Sequence, residues 1–457
     1  MTVANYSKEI VKVYDTVTDH NQIKKWLHEN PKTVDCALKA LLPMGALCMI
    51  QPLVKRRISP FSLTQFSVGG IMILAGMSSQ PYINGIAPPT HNHENHVFDV
   101  CILDDVNLAY EGNLPVLTIN TKDPYKAGYL HGKMLSRQIA EMREINSVIF
   151  SKMKCESFTK KYSDFFKEVI KQIPEKYIQE MQGIIDGYNG RYPQDKMTME
   201  DLMLIHTFPD KAHIDFLESK GKMGGTVIVD GNEHTGPIIG RNLDLSAHHS
   251  LGKYTLLIRR NNIVELGLPG LVGTFTGMNS EGLSVVMNTC KGLTDEAEGL
   301  VSLIYNRQCL EENKTVEDVT LFTDENKPLG SYHLVVSDSQ SAKAFHFFQN
   351  QEELFVREWN KSDPQITTNY RYHSSGKNSP LYQNSCRREE IIEELYQSVD
   401  IRKSFKERLQ KILSSDFVNN VRTVHSIVMD SKSKQMLLTF DNGWAADLSR
   451  EKFTVKC

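Results

Sequence analysis

The spacing of hydrophobic residues changes along the chain, and the change separates a helical part from a strand-rich part. Between residues 124 and 145, apolar residues such as Leu130 and Met134 recur at helical spacing, which predicts an amphipathic helix. Residues 157–190 show a similar pattern and are also predicted to be helical. From about residue 224 onward, short β-branched segments alternate with Gly, Asn and Asp, a pattern typical of an antiparallel meander.

Further helices and strands are predicted beyond this change of pattern. Residues 299–313 and 385–414 are the later helical segments. Helical layers around a β-rich centre predict the α+β class, with sheets packed as a sandwich. The strand-like segments are TVIVD (226–230), GPIIGRN (236–242), YTLLIRR (254–260), IVELGL (263–268), GLVGTFTG (270–277), GLSVVMN (282–288), LGSYHLVVSD (329–338), KAFHFFQ (343–349), VHSIVMD (424–430) and QMLLTFD (435–441).

Residues 1–99 differ from the rest and are predicted to be a helical, partly apolar region that ends in a linker. Two uncharged runs, residues 40–54 and 61–77, flank the basic triplet Lys55–Arg57. Each run is shorter than the ~20 residues of a membrane-spanning helix, and prolines interrupt them. Two interpretations stay open: a buried helical pair or propeptide, or a hairpin that contacts a membrane through residues 37–77.

The linker contains residue types that also bind metals. His91, His93, Glu94 and His96 lie close together in a polar stretch. A solvated, flexible tract is the commoner origin of such a sequence. We therefore predict no metal and no cofactor.

Composition excludes several classes of protein. The formal net charge of −3, with 40% apolar and 23% charged residues, describes an ordinary globular protein and gives no reason to expect nucleic acid as a partner. The eight cysteines form no CxxC pair, which argues against a zinc ribbon or a disulfide framework. The polar N-terminus shows no signal peptide, so we expect a cytoplasmic location, with membrane association left open.

A predicted hairpin carries the most informative polar residues. Residues 226–229 and 237–240 can pair around the loop DGNEHTG. Such pairing brings the start of the first strand next to the end of the second, so we expect Gly225 near Arg241 and Asp244. A nucleophile at position 225 would there have a guanidinium to stabilise its charge and a carboxylate to orient its base.

This hairpin resembles the N-terminal-nucleophile (Ntn) amidases, where C-T-x-I-V precedes a turn and G-R-N-x-D. The family includes acid ceramidase, N-acylethanolamine acid amidase, choloylglycine hydrolase and the acyl-coenzyme A:6-aminopenicillanate acyltransferase-like peptidases. Gly225 stands where the family has its cysteine. Other resembling segments, in the family's order, are PYKAGYLHG (124–132), LPGLVGTFTGMNSEGLSVVMN (268–288), ITTN (366–369) and SCRREE (385–390).

The resemblance implies a fold and a division of the chain. The fold would be the αββα sandwich of antiparallel sheets. Residues 100–224 would be the precursor-side helical segment, and residues 225–457 would be the catalytic segment. In the family the precursor cuts itself before the cysteine, which then becomes the N-terminal residue.

The resemblance also implies roles for individual residues. A thiolate at the position of Gly225 would attack the carbonyl of an acyl amide, with the free α-amine as the general base. Asn288 and Asn369 would stabilise the oxyanion. Arg241 and Asp244 would hold the amine and the sulfur.

The segment SCRREE supplies one more site residue, assigned to Arg387, with Arg388 as the alternative. Each polar residue also has a purely structural explanation. Arg241 and Asp244 would form an ion pair at a strand end, and Asn288 would satisfy buried backbone groups.

Glycine provides no attacking atom, and neither neighbouring candidate replaces it. Thr226 should point away from Arg241 and Asp244, because successive strand residues face opposite sides. Cys290, an internal residue, has no free α-amine. Either the glycine is an engineered replacement that traps the precursor of a cysteine amidase, or the protein is a natural pseudoenzyme.

Two function hypotheses therefore stand side by side. The first is an amidase or acyltransferase for a linear N-acyl amide of a lipid, uncleaved and inactive in this form because of Gly225. The alternative is a catalytically silent protein that binds a lipid or a partner. A third interpretation gives residues 1–99 the leading role, as a targeting module.

Overall fold

The computed structural model describes most of the chain beyond the linker. The described residues belong to the unit His96–Cys457. The predictions for the apolar runs, the basic triplet and the histidine-rich tract concern residues 1–96, which lie outside the described residues. Described are residues 97–457 except residues 104, 153–155, 208, 211–223, 246–248, 291–297, 349–353, 370–379, 421 and 442–443.

Helices lie on both sides of the strand-rich part in the described sequence. A 3₁₀ helix spans His249–Tyr254. The α-helices are α1 (Pro124–Met134), α2 (Ser136–Lys152), α3 (Glu156–Ile170), α4 (Glu175–Arg191), α5 (Met199–His206), α6 (Ser302–Glu312), α7 (Val316–Glu325), α8 (Pro380–Ser398) and α9 (Phe405–Leu413).

The described strands form two sheets, one of ten strands and one of six. The ten-stranded sheet contains, in spatial order, β1 (Cys101–Leu103), β2 (Val106–Glu111), β3 (Leu114–Ile119), β6 (Leu256–Arg260), β7 (Ile263–Gly267), β8 (Thr276–Asn279), β9 (Ser284–Thr289), β10 (Tyr332–Ser337), β11 (Ala342–Phe347) and β12 (Phe355–Glu358). The six-stranded sheet contains β13 (Gln365–Thr367), β4 (Gly224–Asn232), β5 (Gly236–Asp244), β14 (Thr423–Asp430), β15 (Gln435–Phe440) and β16 (Phe453–Lys456).

The two sheets pack face to face, and helices cover their outer faces. Val227 of β4 and Leu257 of β6 belong to one apolar cluster between the sheets. Ile228, the next residue of β4, packs instead with Leu409 and Ile412 of α9. Because both faces of β4 are buried, its residues form a nearly continuous apolar run. The αββα sandwich is confirmed.

The other helical layer covers the ten-stranded sheet. Its apolar cluster joins Tyr177 of α4 and Leu303 of α6 to Ile258 and Leu334 of the sheet. One pairing departs from the predicted antiparallel pattern, because β3 runs parallel to β6. Strands that precede and follow position 225 therefore share one sheet.

Most of the predicted elements are confirmed, but three predicted helical segments are each divided into two helices. One of them, residues 385–414, forms α8 and α9 with a break after Ser398. The helix predicted over residues 124–145 ends at Met134, and α2 begins at Ser136. The segment 157–190 is divided before Pro174, since proline cannot continue a helix as a hydrogen-bond donor.

The predicted strand GLVGTFTG is mostly not a strand. Gly270 has a φ of 87°, a left-handed conformation that glycine adopts without strain. Its N–H donates to Nε2 of His131, and the N–H of Val272 donates to Nε2 of His206, each at 2.9 Å. Two buried histidines therefore accept the backbone hydrogen bonds that a neighbouring strand would accept if this segment were a strand.

Helices α1 and α4 touch along paired glycines. A Cβ added to Gly128, Gly132, Gly183 or Gly187 would lie 1.9, 2.1, 2.2 or 2.2 Å, respectively, from a backbone oxygen of the opposite helix. Real Cβ atoms do not approach oxygen so closely, so no larger residue fits without separating the helices. This contact fixes α4 against the helix that begins at Pro124.

We expect Gly132→Ala to destabilise the fold by about 3 kcal/mol, because the methyl group would overlap the backbone of α4. Gly190→Ala is the matched control, since Gly190 lies on the same helix as Gly183 with no atom within 4 Å of its added Cβ. The control should gain about 0.5 kcal/mol from helix propensity. Urea denaturation of both variants tests this, and equal stabilities would contradict the close contact.

The two buried histidines are held neutral. Burial, with Arg260 and Arg307 nearby, lowers the pKa of His131 to about 3. Burial lowers the pKa of His206 to about 4. Protonation of either Nε2 would remove the acceptor of a backbone N–H, so only the neutral imidazole is compatible with these hydrogen bonds.

Stability should therefore fall as the solution becomes acidic. Both folded-state pKa values lie below the unfolded value of about 6.5. The stability that the two neutral histidines provide is therefore fully present above pH 6.5, and it is lost as the pH falls toward 4. Each histidine contributes a slope of up to about 1.4 kcal/mol per pH unit in that window. Urea denaturation at pH 7, 6 and 5 measures it.

The double variant His131→Gln, His206→Gln should flatten this dependence, since glutamine accepts the same bonds without titrating. His234→Gln, at an exposed position, serves as the control and should leave the slope unchanged. An unchanged slope in the double variant would show that other groups cause the acid sensitivity.

Candidate active site

The main chain at Gly225 is held by polar side chains from distant parts of the sequence. Gly225 is buried in β4 and pairs with Leu243 of β5. Its N–H donates to Oδ1 of Asn369 at 2.9 Å. Its carbonyl accepts from Nη1 of Arg388 at 2.7 Å. Both polar groups of this one residue are thus bonded to side chains.

Asn288 fills the space beside the glycine α-carbon. A Cβ at Gly225 would lie 2.3 Å from Oδ1 of Asn288 and 2.9 Å from the backbone oxygen of Asn242. Nδ2 of Asn288 donates to the Thr367 carbonyl at 3.1 Å, whereas Oδ1 is buried without a hydrogen-bond partner. An unpaired acceptor in this place is costly, so the site holds Asn288 in an unfavourable environment.

Asn369 links the six-stranded sheet to the ten-stranded one. It follows β13, and its Nδ2 donates to the carbonyl of Thr289 in β9 at 2.7 Å. Each amide group has two N–H bonds, and the described contacts use one in Asn288 and one in Asn369. The other N–H of each amide has no protein acceptor among the described contacts.

The arginine at the site is Arg388, and the placement predicted for Arg387 is corrected. Arg388 is 4% exposed and donates to Thr226 Oγ1 at 2.9 Å and to Asn369 Oδ1 at 2.8 Å, besides the Gly225 carbonyl. The Arg387 side chain is 58% exposed and pairs with Glu390 at 3.0 Å. Successive helical residues point about 100° apart, so only one of two adjacent arginines can face the sheet.

Arg241 lies between the two sheets, on the same face of the hairpin as Gly225. It pairs with Val227, donates to the Met287 carbonyl at 2.6 Å and also bonds Thr276 Oγ1. Its Nη1 is 3.3 Å from Nε2 of His425. Burial lowers the pKa of Arg241 to about 9, and Asp244 opposes that shift, so the guanidinium is charged at neutral pH.

Asp244 lies on the opposite face, which corrects the prediction that both residues flank position 225. Asp244 accepts from Thr423 Oγ1 at 2.7 Å and from Asn420 Nδ2 at 3.1 Å. Burial raises its pKa, and Arg388 and these hydrogen bonds partly oppose the rise. Residues three apart on a strand face opposite sides, so Arg241 and Asp244 cannot both reach one atom of the hairpin.

The same alternation corrects the expectation for Thr226. It points away from Arg241, as predicted, but shares a face with Asp244 rather than pointing away from it. Arg388 contacts Thr226 Oγ1 and interacts electrostatically with Asp244 on that side. The hairpin therefore has an inner polar group with Arg241 and an outer one with Asp244, Thr226 and Arg388.

Three histidines near this region carry no sequence signal beyond their positions in strands. His333 pairs across the sheet with Asn288, and its Nδ1 is 2.8 Å from Nδ1 of His346. His425 pairs with Leu243, one strand from Gly225. Burial, and then Arg241, lower the pKa of His425, so it is neutral beside the guanidinium. Alternation along predicted strands would have placed all three inside the sandwich.

The described cluster supplies hydrogen-bond donors but no nucleophile at position 225. Among the described residues, no three His, Cys, Asp or Glu side chains are grouped to hold a metal ion. None of the helices in the described part of the chain is long and apolar enough to cross a membrane.

Comparison with protein families matches the part of the chain that contains most of this cluster. A family model described as acyl-coenzyme A:6-aminopenicillanic acid acyl-transferase matches residues 231–444, just under half of the 457 residues. This part of the chain is therefore similar to that family, which is one of the Ntn amidase families that the hairpin resembles. The match begins after Gly225, so it includes Arg241, Asp244 and the later site residues but not the glycine itself.

Two solved structures are similar to this chain. One is an N-acylethanolamine-hydrolyzing acid amidase ortholog from Caenorhabditis elegans, with 17% identity, 45% of this chain and 93% of that chain covered, and a TM-score of 0.38. The other is a mutant of the conjugated bile acid hydrolase from Clostridium perfringens, with 12% identity, 51% and 92% covered, and a TM-score of 0.32. The similarity to a family is a finding of the sequence match alone. None of the curated proteins matches the chain.

We expect Arg388→Met to cost about 3 kcal/mol of unfolding free energy, because the Gly225 carbonyl would lose its buried, charged donor. The adjacent Arg387→Met is a matched control and should change stability by less than about 0.5 kcal/mol, as an exposed ion pair contributes little. Urea denaturation at pH 7 measures the unfolding free energy of both variants. Equal losses would contradict the assignment of Arg388 to the site.

Proposed function

We propose that this chain is the uncleaved, inactive form of an Ntn cysteine amidase or acyltransferase for a linear N-acyl amide, with glycine at the nucleophile position. The observation that carries the proposal is the arrangement around Gly225. Asn369 binds its N–H, Arg388 binds its carbonyl and Asn288 lies against its α-carbon. A strand residue with only a structural role is held by its neighbouring strands and by apolar packing. Three polar side chains around one such residue therefore support a functional role for position 225.

A cysteine at position 225 would complete a self-cleavage step. Its thiolate attacks the carbonyl carbon of Gly224, and the peptide C–N bond breaks as the nitrogen takes up a proton. This leaves a thioester between Gly224 and the sulfur. Water then hydrolyses the thioester, which frees the thiol and leaves a new α-amine at position 225.

The same sulfur would then act on the substrate. It attacks the amide carbonyl, the α-amine transfers the proton to the departing amine, and water or another acceptor removes the acyl group. The unused N–H bonds of Asn288 and Asn369 would stabilise the oxyanion. Arg241 and Asp244, which lie on opposite faces, would act from two sides of the hairpin. Without the sulfur the expected loss is on the order of 10⁶ in kcat.

We infer a lipid as the acyl donor from the uncharged runs within residues 37–77, which would bring the protein to membranes where N-acyl amides reside. A panel of N-acyl amides with different chain lengths tests this with the cleaved cysteine form. Faster turnover of long-chain amides would support the lipid substrate, and turnover of short acyl amides alone would oppose it.

A second candidate function is a catalytically silent binding protein. The observation in its favour is also at Gly225: the space for any side chain is occupied by the amide of Asn288 and limited by the Asn242 carbonyl. A protein whose backbone requires glycine here would be a natural pseudoenzyme. In that case an N-acyl amide should bind and raise the melting temperature with Gly225 in place.

The Gly225→Cys variant distinguishes the two functions. The amidase proposal expects cleavage before residue 225, seen as two masses in an intact-protein spectrum under denaturing conditions. An amide-mimicking inhibitor should then add its acyl group to the fragment that begins at residue 225. The reason is that the sulfur would lie beside the amides of Asn288 and Asn369.

The Gly225→Ala variant is the matched control, since it adds the Cβ that meets Asn288 without adding sulfur. It should stay intact. A cysteine variant that folds, remains full length and does not react with the inhibitor would refute the amidase proposal.

A further inference from the structure

A polar cavity lies on the other side of the ten-stranded sheet from Gly225. It opens between the N-terminus of α1, one side of α4 and α6, and the turn from β6 to β7, with a volume of about 270 Å³. The charged residues that line it are Lys122, Asp123, Lys176, Glu180, Arg260, Arg307 and Glu311.

Two of the three carboxylates in this wall have cationic partners, and the third, Asp123, accepts from the N–H of Lys126 at 3.1 Å. Glu180 is bound by Arg260 and, at 2.8 Å, by Arg307. Glu311 is bound by Arg307 at 2.8 Å and by Lys176 at 2.9 Å. Burial alone would raise the pKa of Glu311, but Arg307 and Lys176 lower it to about 2. Glu180 and Glu311 are saturated by these ion pairs, so they offer little to a cation in the cavity.

The unsatisfied group in the wall is a donor. The Arg260 side chain is 4% exposed, and its Nη1 binds Glu180. Its Nε lies 3.0 Å from Oε1 of Glu265, an ion-pair distance without the alignment of a hydrogen bond. Its Nη2 is buried with no protein partner. A guanidinium group so buried normally has all its N–H bonds paired.

Two further features add positive potential at the same place. Lys122 is exposed at the cavity and forms no ion pair with a described residue. Helix α1 begins here, with Asp123 as its N-cap and Pro124 at its first position. The first turn of an α-helix carries a partial positive charge that favours anions.

We propose that this cavity binds a small oxyanion, the phosphate or carboxylate group of a small molecule, through Nη2 of Arg260 and the ammonium group of Lys122. The volume exceeds that of the few waters needed to satisfy one N–H, since each takes about 30 Å³. It lies just below the ~300 Å³ at which pockets for drug-sized ligands begin. The ligand is therefore small.

This site is separate from the cluster around Gly225, but a packed segment connects them. Arg307, in the cavity wall, donates to the carbonyl of Val272 at 2.7 Å. Four residues further along the chain, Thr276 receives a bond from Arg241.

Isothermal titration calorimetry of the full chain with inorganic phosphate and, separately, with acetate tests the proposal, at an ionic strength kept constant with chloride. Saturable binding of phosphate, of acetate or of both supports it and identifies which oxyanion is preferred. The proposal is overturned if neither phosphate nor acetate releases or absorbs more heat than a chloride titration at the same ionic strength.

Arg260→Lys keeps the charge but removes the free N–H, so the anion should bind about tenfold more weakly. Arg259→Lys is the matched control, because the adjacent arginine pairs with Glu111 away from the cavity and should leave binding unchanged. Lys122→Gln changes only an exposed residue, and it serves if the buried variant fails to fold. Unchanged affinity in both Arg260→Lys and Lys122→Gln would also overturn the site.

Discussion

The burial of both faces of the β4–β5 hairpin is the constraint on which the rest of the site depends. Each strand residue must point either between the sheets or toward the helices, and none can turn to solvent to escape an unfavourable neighbour. This places Gly225 and Arg241 on the inner face, and Thr226 and Asp244 on the outer one. The polar residues around position 225 therefore form two groups, which meet at the main chain of β4 and through the hydrogen bond from Arg388 to Asn369.

The main chain of β4 acts in this arrangement as a shared hydrogen-bonding partner. Arg388 reaches the Gly225 carbonyl from the helical layer, and Asn369 reaches the N–H from the end of β13. Asn288 comes from the facing sheet. Three layers of the sandwich thus converge on one residue, and the energy of each contact depends on the other two remaining in place.

The sequence allowed the sandwich to be predicted because burial on two faces leaves a strong pattern. It also allowed Asn288 and Asn369 to be placed near Gly225 through the family motifs. The prediction that Arg241 and Asp244 lie on one side of the hairpin is wrong, because residues three apart on one strand face opposite sides. The prediction of Arg387 in preference to Arg388 is wrong, because the choice depends on the rotation of α8 about its axis, which the motif does not determine. The free N–H of Arg260 follows from tertiary packing and leaves no local pattern.

The parallel pairing of β3 with β6 has a consequence for any break in the chain at position 225. Strands from both sides of that position share the ten-stranded sheet, and α1 and α4 pack on strands that follow the break. The two pieces would remain associated as a heterodimer without a covalent link. They would migrate together through a native sizing column, and only a denaturant would separate them.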